Sequence, residues 1–247
     1  MSQLKDALLK LEALKLTGMC TALAQQVENE DFHTLSFEER LSHLVNAEFF
    51  EQKDLKTQRL IRNSRFANSQ ACMEDVDYER PRRFDRSLLK ELASCAFIER
   101  KKNVVILGPT GSGKTYIAQA LGQAACRSGF NTRFVSLPDL LEEYQLECLV
   151  SLKKGLLCRR RYERPDLLII DEWLTFSISE DDAQFLLRLI STRLHTTSTI
   201  VVSQFEPHEW IQQIPLAIAG ESLTDRLASG SYKLEIISES SMRQIEH

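Results

Sequence analysis

The chain has 247 residues, 43% hydrophobic and 27% charged, with a formal net charge of −4. That length holds one large domain, or a core domain with a small accessory one. No apolar run approaches about 20 residues, which argues against a membrane-spanning helix, and the acidic balance argues against a uniformly basic nucleic-acid binder.

The first residues lack a signal-peptide layout, because Lys5, Asp6, Lys10 and Glu12 interrupt the apolar positions. The six cysteines are scattered and never form C-x-x-C. A cytoplasmic protein with reduced thiols is expected, without a zinc site or a disulfide framework. Each cysteine reads best as a small buried hydrophobe.

The N-terminal third is helical in character. Leu4, Leu8, Leu11 and Leu14 or Leu16 recur at helical spacing. Ser36 and Glu39 form a capping box ahead of a long amphipathic run with Leu41, Leu44, Val45, Phe49 and Leu55. That run continues into Lys53, Lys56, Arg59, Arg62 and Arg65, whose three-residue spacing places them near one another along a helix. Two further basic clusters are Arg80, Arg82, Arg83 and Arg86, and Lys153, Lys154, Arg159, Arg160 and Arg161. Such runs serve either phosphate contacts or a solvated helix face, and composition does not choose between them.

Residues 68–85 are polar and contain Pro81, which predicts a linker or ordered loop. A short helix at 86–93, capped by Asp85, follows. From residue 103 the pattern alternates. Strands are predicted at 103–107, 132–136, 167–170, 199–203 and 232–237. Helices are predicted at 114–127, 138–150, 179–194 and 207–213, with Pro138 suited to a first turn. Strands separated by helices imply an α/β fold with a parallel sheet flanked by helices and right-handed crossovers. The expected division is a small all-helical N-terminal domain at 1–67 for binding DNA or a partner, a linker and connecting helix at 68–102, and a nucleotide-binding core at 103–247.

Within that core, Gly108, Pro109, Thr110, Gly111, Ser112, Gly113, Lys114 and Thr115 fulfil G-x-x-x-x-G-K-[ST] between a β-branched run and a helical one. The glycines let the backbone N–H groups converge on phosphate at a helix N-terminus. Lys114 would reach the β- and γ-phosphates of ATP, and Thr115 would place a hydroxyl on Mg²⁺. The apolar run 167–170 ends in Asp171-Glu172. Acids at that end of a buried parallel strand lie where sheets of this kind bind ligands. Asp171 would hold Mg²⁺ and Glu172 would polarise the attacking water, a pair that suits an NTP hydrolase. The strand at 199–203 leads into Gln204, the better candidate to touch the γ-phosphate or the water, with Ser203 second. Arg226 beside Asp225 is either a finger completing a neighbouring subunit's site or a local ion pair.

Taken together, these parts resemble the IstB-like ATP-binding family, AAA+ helper ATPases encoded beside the transposases of bacterial insertion sequences. The resemblance spans nearly the whole chain. It includes Leu16-Thr17-Gly18-Met19, Leu35-Ser36-Phe37-Glu38-Glu39-Arg40-Leu41, Leu121-Gly122-Gln123-Ala124-Ala125-Cys126-Arg127, Asp225-Arg226-Leu227 and the tail 239–243. It implies a P-loop AAA+ core without a full C-terminal lid, ATP-driven homo-oligomerisation on double-stranded DNA, and delivery of that DNA to a transposase. By position it makes Arg226 the finger acting in trans, and Lys56, Arg59, Arg62 and Arg65 become DNA-binding candidates through the basic stripe. Three departures stand out. Asp171-Glu172-Trp173-Leu174 replaces the more frequent Asp-Asp-Trp-Gly, Val202 replaces a Thr, and the segment before Arg243 is one residue longer. A replicative-helicase loader of the DnaC type and a non-hydrolysing nucleotide-gated adaptor are the alternative functions.

Overall fold

The computed structural model describes residues 3–68, 70–77 and 82–238. Arg80, Pro81, the tail 239–243 and its Arg243 lie outside them. By contact density the chain divides into two units, Met1–Arg59 and Leu60–His247.

The first unit is helical throughout. It holds α1 (Gln3–Ala13), α2 (Thr17–Glu28), a 3-10 turn at Glu30–Thr34 and most of α3 (Phe37–Ser64). The predicted capping box starts α3: Ser36 N–H donates to Glu39 Oε2 at 2.8 Å, and Glu39 N–H returns to Ser36 Oγ at 3.3 Å. The same backbone donor holds the Glu39 carboxyl below its ordinary range. Gly18 explains part of the Leu-Thr-Gly-Met motif. A Cβ there would meet Ala47 O at 2.7 Å, so only glycine lets α2 approach α3 so closely. Glu48, nearly buried, accepts from Met19 N–H at 3.0 Å and satisfies a free donor at the start of α2.

The second unit is α/β. Its elements are β1 (Arg82–Arg83), α4 (Arg86–Ala93), α5 (Ala96–Glu99), β2 (Val104–Leu107), α6 (Lys114–Arg127), β3 (Thr132–Ser136), α7 (Leu137–Val150), α8 (Leu152–Glu163), β4 (Leu167–Asp171), α9 (Glu180–Arg193), β5 (Ser198–Ser203), α10 (Pro207–Trp210), α11 (Ala217–Ala228), β6 (Tyr232–Glu235) and β7 (Ile237–Ser238). Five strands form one parallel sheet in the order β3-β4-β5-β2-β6. Alternation along the strands sorts the core into two layers. Val105, Leu107, Leu168, Ile170 and Val201 pack with Leu140 of α7, Leu186 of α9 and Leu223 of α11. Val104, Ile106, Ile169 and Ile200 pack with Ile117 and Leu121 of α6 and Leu89 of α4. Asp85 caps α4 as expected, accepting from Ser87 N–H at 2.9 Å and Leu88 N–H at 3.0 Å.

Several elements differ from expectation for local reasons. The stretch 207–213 is a four-residue helix followed by a 3-10 turn, and the Gln213 carbonyl accepts from Ile178 N–H at 3.0 Å. The strand expected to run to 237 stops at Glu235, and Ile237 pairs instead with Arg83 in an antiparallel two-stranded ribbon. The basic cluster at 153–161 lies on α8, a helix absent from the prediction and started by Ser151, whose Oγ accepts from Lys154 N–H. Within it, Arg159 pairs with Glu163, and Arg161 with Glu143 and Glu147. The stripe on α3 also ends early: Arg65 lies past the helix in the left-handed region (φ 59°).

All six cysteines are free thiols; Cys95, Cys126 and Cys158 are buried, and Cys20, Cys72 and Cys148 only partly so. Among the described residues, no helix is long and apolar enough to cross a membrane.

Candidate nucleotide site

The sheet order explains why distant motifs meet. β5 lies between β2 and β4, so the carboxyl ends of all three strands converge. β2 delivers the glycine loop, β4 delivers Asp171-Glu172, and β5 delivers Ser203-Gln204. One cavity of about 250 Å³ is lined by Thr110, Gly111, Lys114, Thr115, Asp171, Glu172, Thr175, Val202, Ser203 and Gln204.

The loop has the backbone that a phosphate cradle requires. Gly108, Gly111 and Gly113 have φ of 152°, 79° and 88°, which L side chains rarely adopt. Gly108 is confined as well as turned, since a Cβ there would stand 2.4 Å from Ile236 O. Lys114 opens α6 and its Nζ donates to Pro109 O at 2.7 Å, so the amine lies over the loop's mouth. Burial pushes its pKa below the ordinary lysine value, and Asp171 opposes that shift.

Asp171, 8% exposed, ends β4, and its Oδ1 accepts from Glu172 N–H at 2.9 Å. Glu172 then enters the left-handed region (φ 55°), and its side chain is exposed beside the cavity. Non-glycine residues held there store strain, which is often found at functional sites. What holds the turn is Trp173. It is fully buried, its N–H donates to Val202 O at 2.8 Å, and its ring meets Trp210 edge-on at 6.0 Å. Ser203 completes this fastening. Its Oγ donates to Trp173 O at 2.8 Å and accepts from Trp210 Nε1 at 3.2 Å and Phe205 N–H at 3.1 Å. Its hydroxyl is thus committed to positioning the Glu172 turn.

Gln204 lines the cavity and touches the glycine loop: its Oε1 accepts from Thr110 Oγ1 at 2.9 Å. Thr175, Trp173 and Trp210 were missed by sequence reading. The two tryptophans are the only ones in the chain, and a tryptophan directly after the two acids was the available signal.

Leu174 also has positive φ (48°) and is fully buried. It occupies the position where the resembling pattern has glycine. Leu174→Gly relieves about 1–2 kcal/mol of backbone strain but removes a core side chain whose truncation costs about 2–5 kcal/mol. Net destabilisation of about 1–3 kcal/mol is expected in thermal or urea unfolding; a stabilised variant would show that strain outweighs packing at this turn.

A second cavity, about 460 Å³, shares Thr115, Asp171 and Glu172 and is further lined by Arg65, Arg133, Asp139 and Tyr162. Arg133, 8% exposed, donates to Asn63 O at 3.2 Å and lies over the Tyr162 ring. Arg226 is not brought to either cavity within one chain. It lies on α11, where its guanidinium donates to Ser222 O at 2.9 Å and to the Ser222 hydroxyl instead of pairing with Asp225. Of the basic candidates, Lys56, Arg59 and Arg62 fall on α3, and Arg65 approaches Glu143 at 4.0 Å.

The residues fit ATP and Mg²⁺. Converging backbone amides and an ammonium suit phosphates. A hydroxyl and a carboxylate suit a hard cation that keeps water and phosphate oxygens as its remaining ligands. Among the described residues no group of three or more His, Cys, Asp or Glu side chains could hold a metal alone, so Thr115 and Asp171 would act with the nucleotide.

Comparison with known proteins agrees with this geometry. The family model for IstB-like ATP binding protein matches residues 9–247. An insertion sequence IS1162 protein of Pseudomonas fluorescens, named for ATP binding, is 36% identical over 202 residues, covering 81% of this chain and 86% of that one. An insertion sequence protein of Sinorhizobium fredii, similarly named, is 31% identical over 234 residues, covering 94% and 93%. The fold resembles that of AMPPCP-bound DnaA from Aquifex aeolicus, with a TM-score of 0.58 at 21% identity. That match covers 72% of this chain and 53% of DnaA, so the chain spans about half of that protein. A DnaI structure matches with a TM-score of 0.58 at 16% identity, covering 72% of this chain and 93% of DnaI. With an AAA+ fold, a phosphate loop and a family match over nearly its whole length, the chain belongs to the IstB-like ATP-binding protein family of insertion sequences.

Proposed function

We propose that the protein is an ATP hydrolase that assembles on double-stranded DNA and stimulates a partner transposase. The observation that carries the reading is the single cavity in which the phosphate loop, Asp171-Glu172 and Gln204 meet.

The roles follow from placement. The loop amides and Lys114 bind the phosphates, and Gln204 senses the loop through Thr110. Thr115 and Asp171 would hold Mg²⁺, which would supply positive charge against that developing on the phosphates. Glu172, exposed beside the cavity and fixed by its strained turn, orients water and accepts its proton. Ser203, Trp173 and Trp210 keep that turn in register. Arg226, standing apart from its own chain's cavity, supplies a guanidinium to a neighbouring subunit's site, worth about 10³–10⁵ in rate. Lys56, Arg59, Arg62 and Arg65 contact DNA phosphates. The insertion-sequence relatives favour a transposase as the partner over the helicase that a DnaC-type loader would serve.

Replacing Lys114 by alanine is expected to weaken ATP binding at least about 100-fold, through loss of a charge-assisted contact worth about 3 kcal/mol. In thermal unfolding, ATP with Mg²⁺ raises the wild-type midpoint and leaves the variant unmoved. Equal ATP stabilisation of both proteins would remove the phosphate loop from the account.

A further inference from the structure

We propose that Ser222 is a positioning residue for the Arg226 guanidinium, holding it so that one edge stays open for the γ-phosphate in a neighbouring subunit's site. The inference rests on the trans role given to Arg226 above and adds what aims that side chain.

The backbone beneath the guanidinium is fixed first. Arg226 lies in the last turn of α11, and its neighbours Leu223 and Leu227 are buried. Carbonyls in a last turn lack helical partners. That of Arg226 accepts from Asn103 Nδ2 at 3.2 Å, and Asn103 Oδ1 accepts from Thr199 N–H at 3.0 Å. The end of α11 is thereby tied to the starts of β2 and β5.

Ser222 then aims the side chain. Nη1 donates to the Ser222 carbonyl at 2.9 Å and to the Ser222 hydroxyl, one turn back along the helix. Among the described residues, Nε and Nη2 make no hydrogen bond. Those two nitrogens form an edge that can bind an oxyanion through two parallel hydrogen bonds. A clamp on Nη1 alone holds the fork and leaves that edge clear.

The clamp is also neutral. Glu221 and Asp225 adjoin Ser222 and Arg226 in sequence, yet the guanidinium bonds to Ser222 and to neither acid. A carboxylate would aim the guanidinium equally well but would offset the charge that must act on the phosphate. A hydroxyl and a carbonyl aim the cation and leave its charge for the transferring phosphoryl group. Holding a long side chain in place beforehand also removes an ordering cost from the reaction.

The test is ATP turnover by the full-length protein with Mg²⁺ and duplex DNA, at concentrations where assembly is complete. Ser222→Ala removes the hydroxyl at a partly exposed helical position, where alanine is the best helix former. It is expected to lower kcat about three- to tenfold with KM unchanged, the mark of an interaction used in the transition state. Ser222→Thr keeps the hydroxyl and should restore most of the lost kcat. Mixed assemblies locate the effect. Glu172→Gln subunits keep Arg226 and lose the base, whereas Arg226→Ala subunits keep the base and lose the guanidinium. Together they should recover turnover where Arg226 of one subunit meets the cavity of the other. Ser222→Ala should lower that recovered turnover only when it is placed in the Glu172→Gln subunit, which supplies Arg226. An equal fall from either placement marks a general effect on α11 and overturns the proposal. So does wild-type kcat in Ser222→Ala when Arg226→Ala is inactive, a result that leaves the trans role standing. Wild-type kcat in Arg226→Ala, or mixtures that co-assemble and recover nothing, overturns the trans role and this inference with it. A wild-type protein without turnover removes both.

Discussion

Glu172→Gln is expected to slow ATP turnover by about 10²–10⁴-fold, the range for losing a positioned general base. ATP binding should stay within about threefold of wild type, because the phosphate contacts are untouched and each tenfold requires about 1.4 kcal/mol. The asymmetry follows from geometry. Glu172 lines the cavity but belongs to the strained turn after β4, while the phosphate cradle is built on the loop after β2. Glutamine is nearly isosteric, so Trp173 stays buried and the Trp173 N–H to Val202 O bond is kept. A loss of kcat with little change in affinity marks an interaction made in the transition state. Equal kcat in both proteins would remove Glu172 from the chemistry, and undetectable turnover in wild type under every DNA and partner condition would favour the nucleotide-gated adaptor.

Arg193→Met is expected to destabilise the protein by about 3–5 kcal/mol, a large share of the 5–15 kcal/mol typical of a folded domain. Arg193 is 2% exposed, and its guanidinium ties three chain segments. Nη1 donates to Tyr162 O, Glu163 O and Pro165 O at 2.9, 3.1 and 3.0 Å. Nη2 donates to Ser198 O at 2.5 Å, and Nε to Thr199 Oγ1 at 3.0 Å. The end of α8, the approach to β4 and the start of β5 thus converge on one side chain. Burial pushes its pKa down to about 9 against the pull of Asp166 and Glu163, so it remains charged at neutral pH. Methionine fills the space but leaves buried carbonyls without donors, at about 1–3 kcal/mol each where water cannot enter. Lysine keeps the charge and loses the planar fork, so Arg193→Lys should fall between the two. The urea midpoint measures the effect, and a methionine variant within about 1 kcal/mol of wild type would show that the carbonyls find other donors.

Much of the core was legible because its signals are local. β2, α6, β3 and β4 follow from apolar runs and from loop chemistry that sits between strand and helix. Asp85 and the Ser36–Glu39 pair announced their helices because a cap is a contact between residues two or three apart. Longer-range partnerships were not legible. Ser203 and Gln204 are adjacent and polar, and only the fold shows that one fastens Trp173 while the other meets Thr110. Arg193 reads as an ordinary last-turn arginine until β5 and the end of α8 close around it. α8 was overlooked because its arginines drew a charge-based reading, although they share a helix with buried Cys158 and Tyr162. Arg65 shows the converse error: regular spacing suggested one stripe, and a left-handed residue broke it.

The nucleotide in this cavity is proposed to control the grip on DNA. The most direct test is duplex binding by the full-length protein without nucleotide, with ADP and with ATP, for wild type and Glu172→Gln, together with the mass of the bound assembly. Weak binding is expected without nucleotide, and tight, multi-subunit binding with ATP. Glu172→Gln is expected to stay bound after wild type has hydrolysed its ATP and released. Equal affinity and equal mass in all three nucleotide conditions would contradict it.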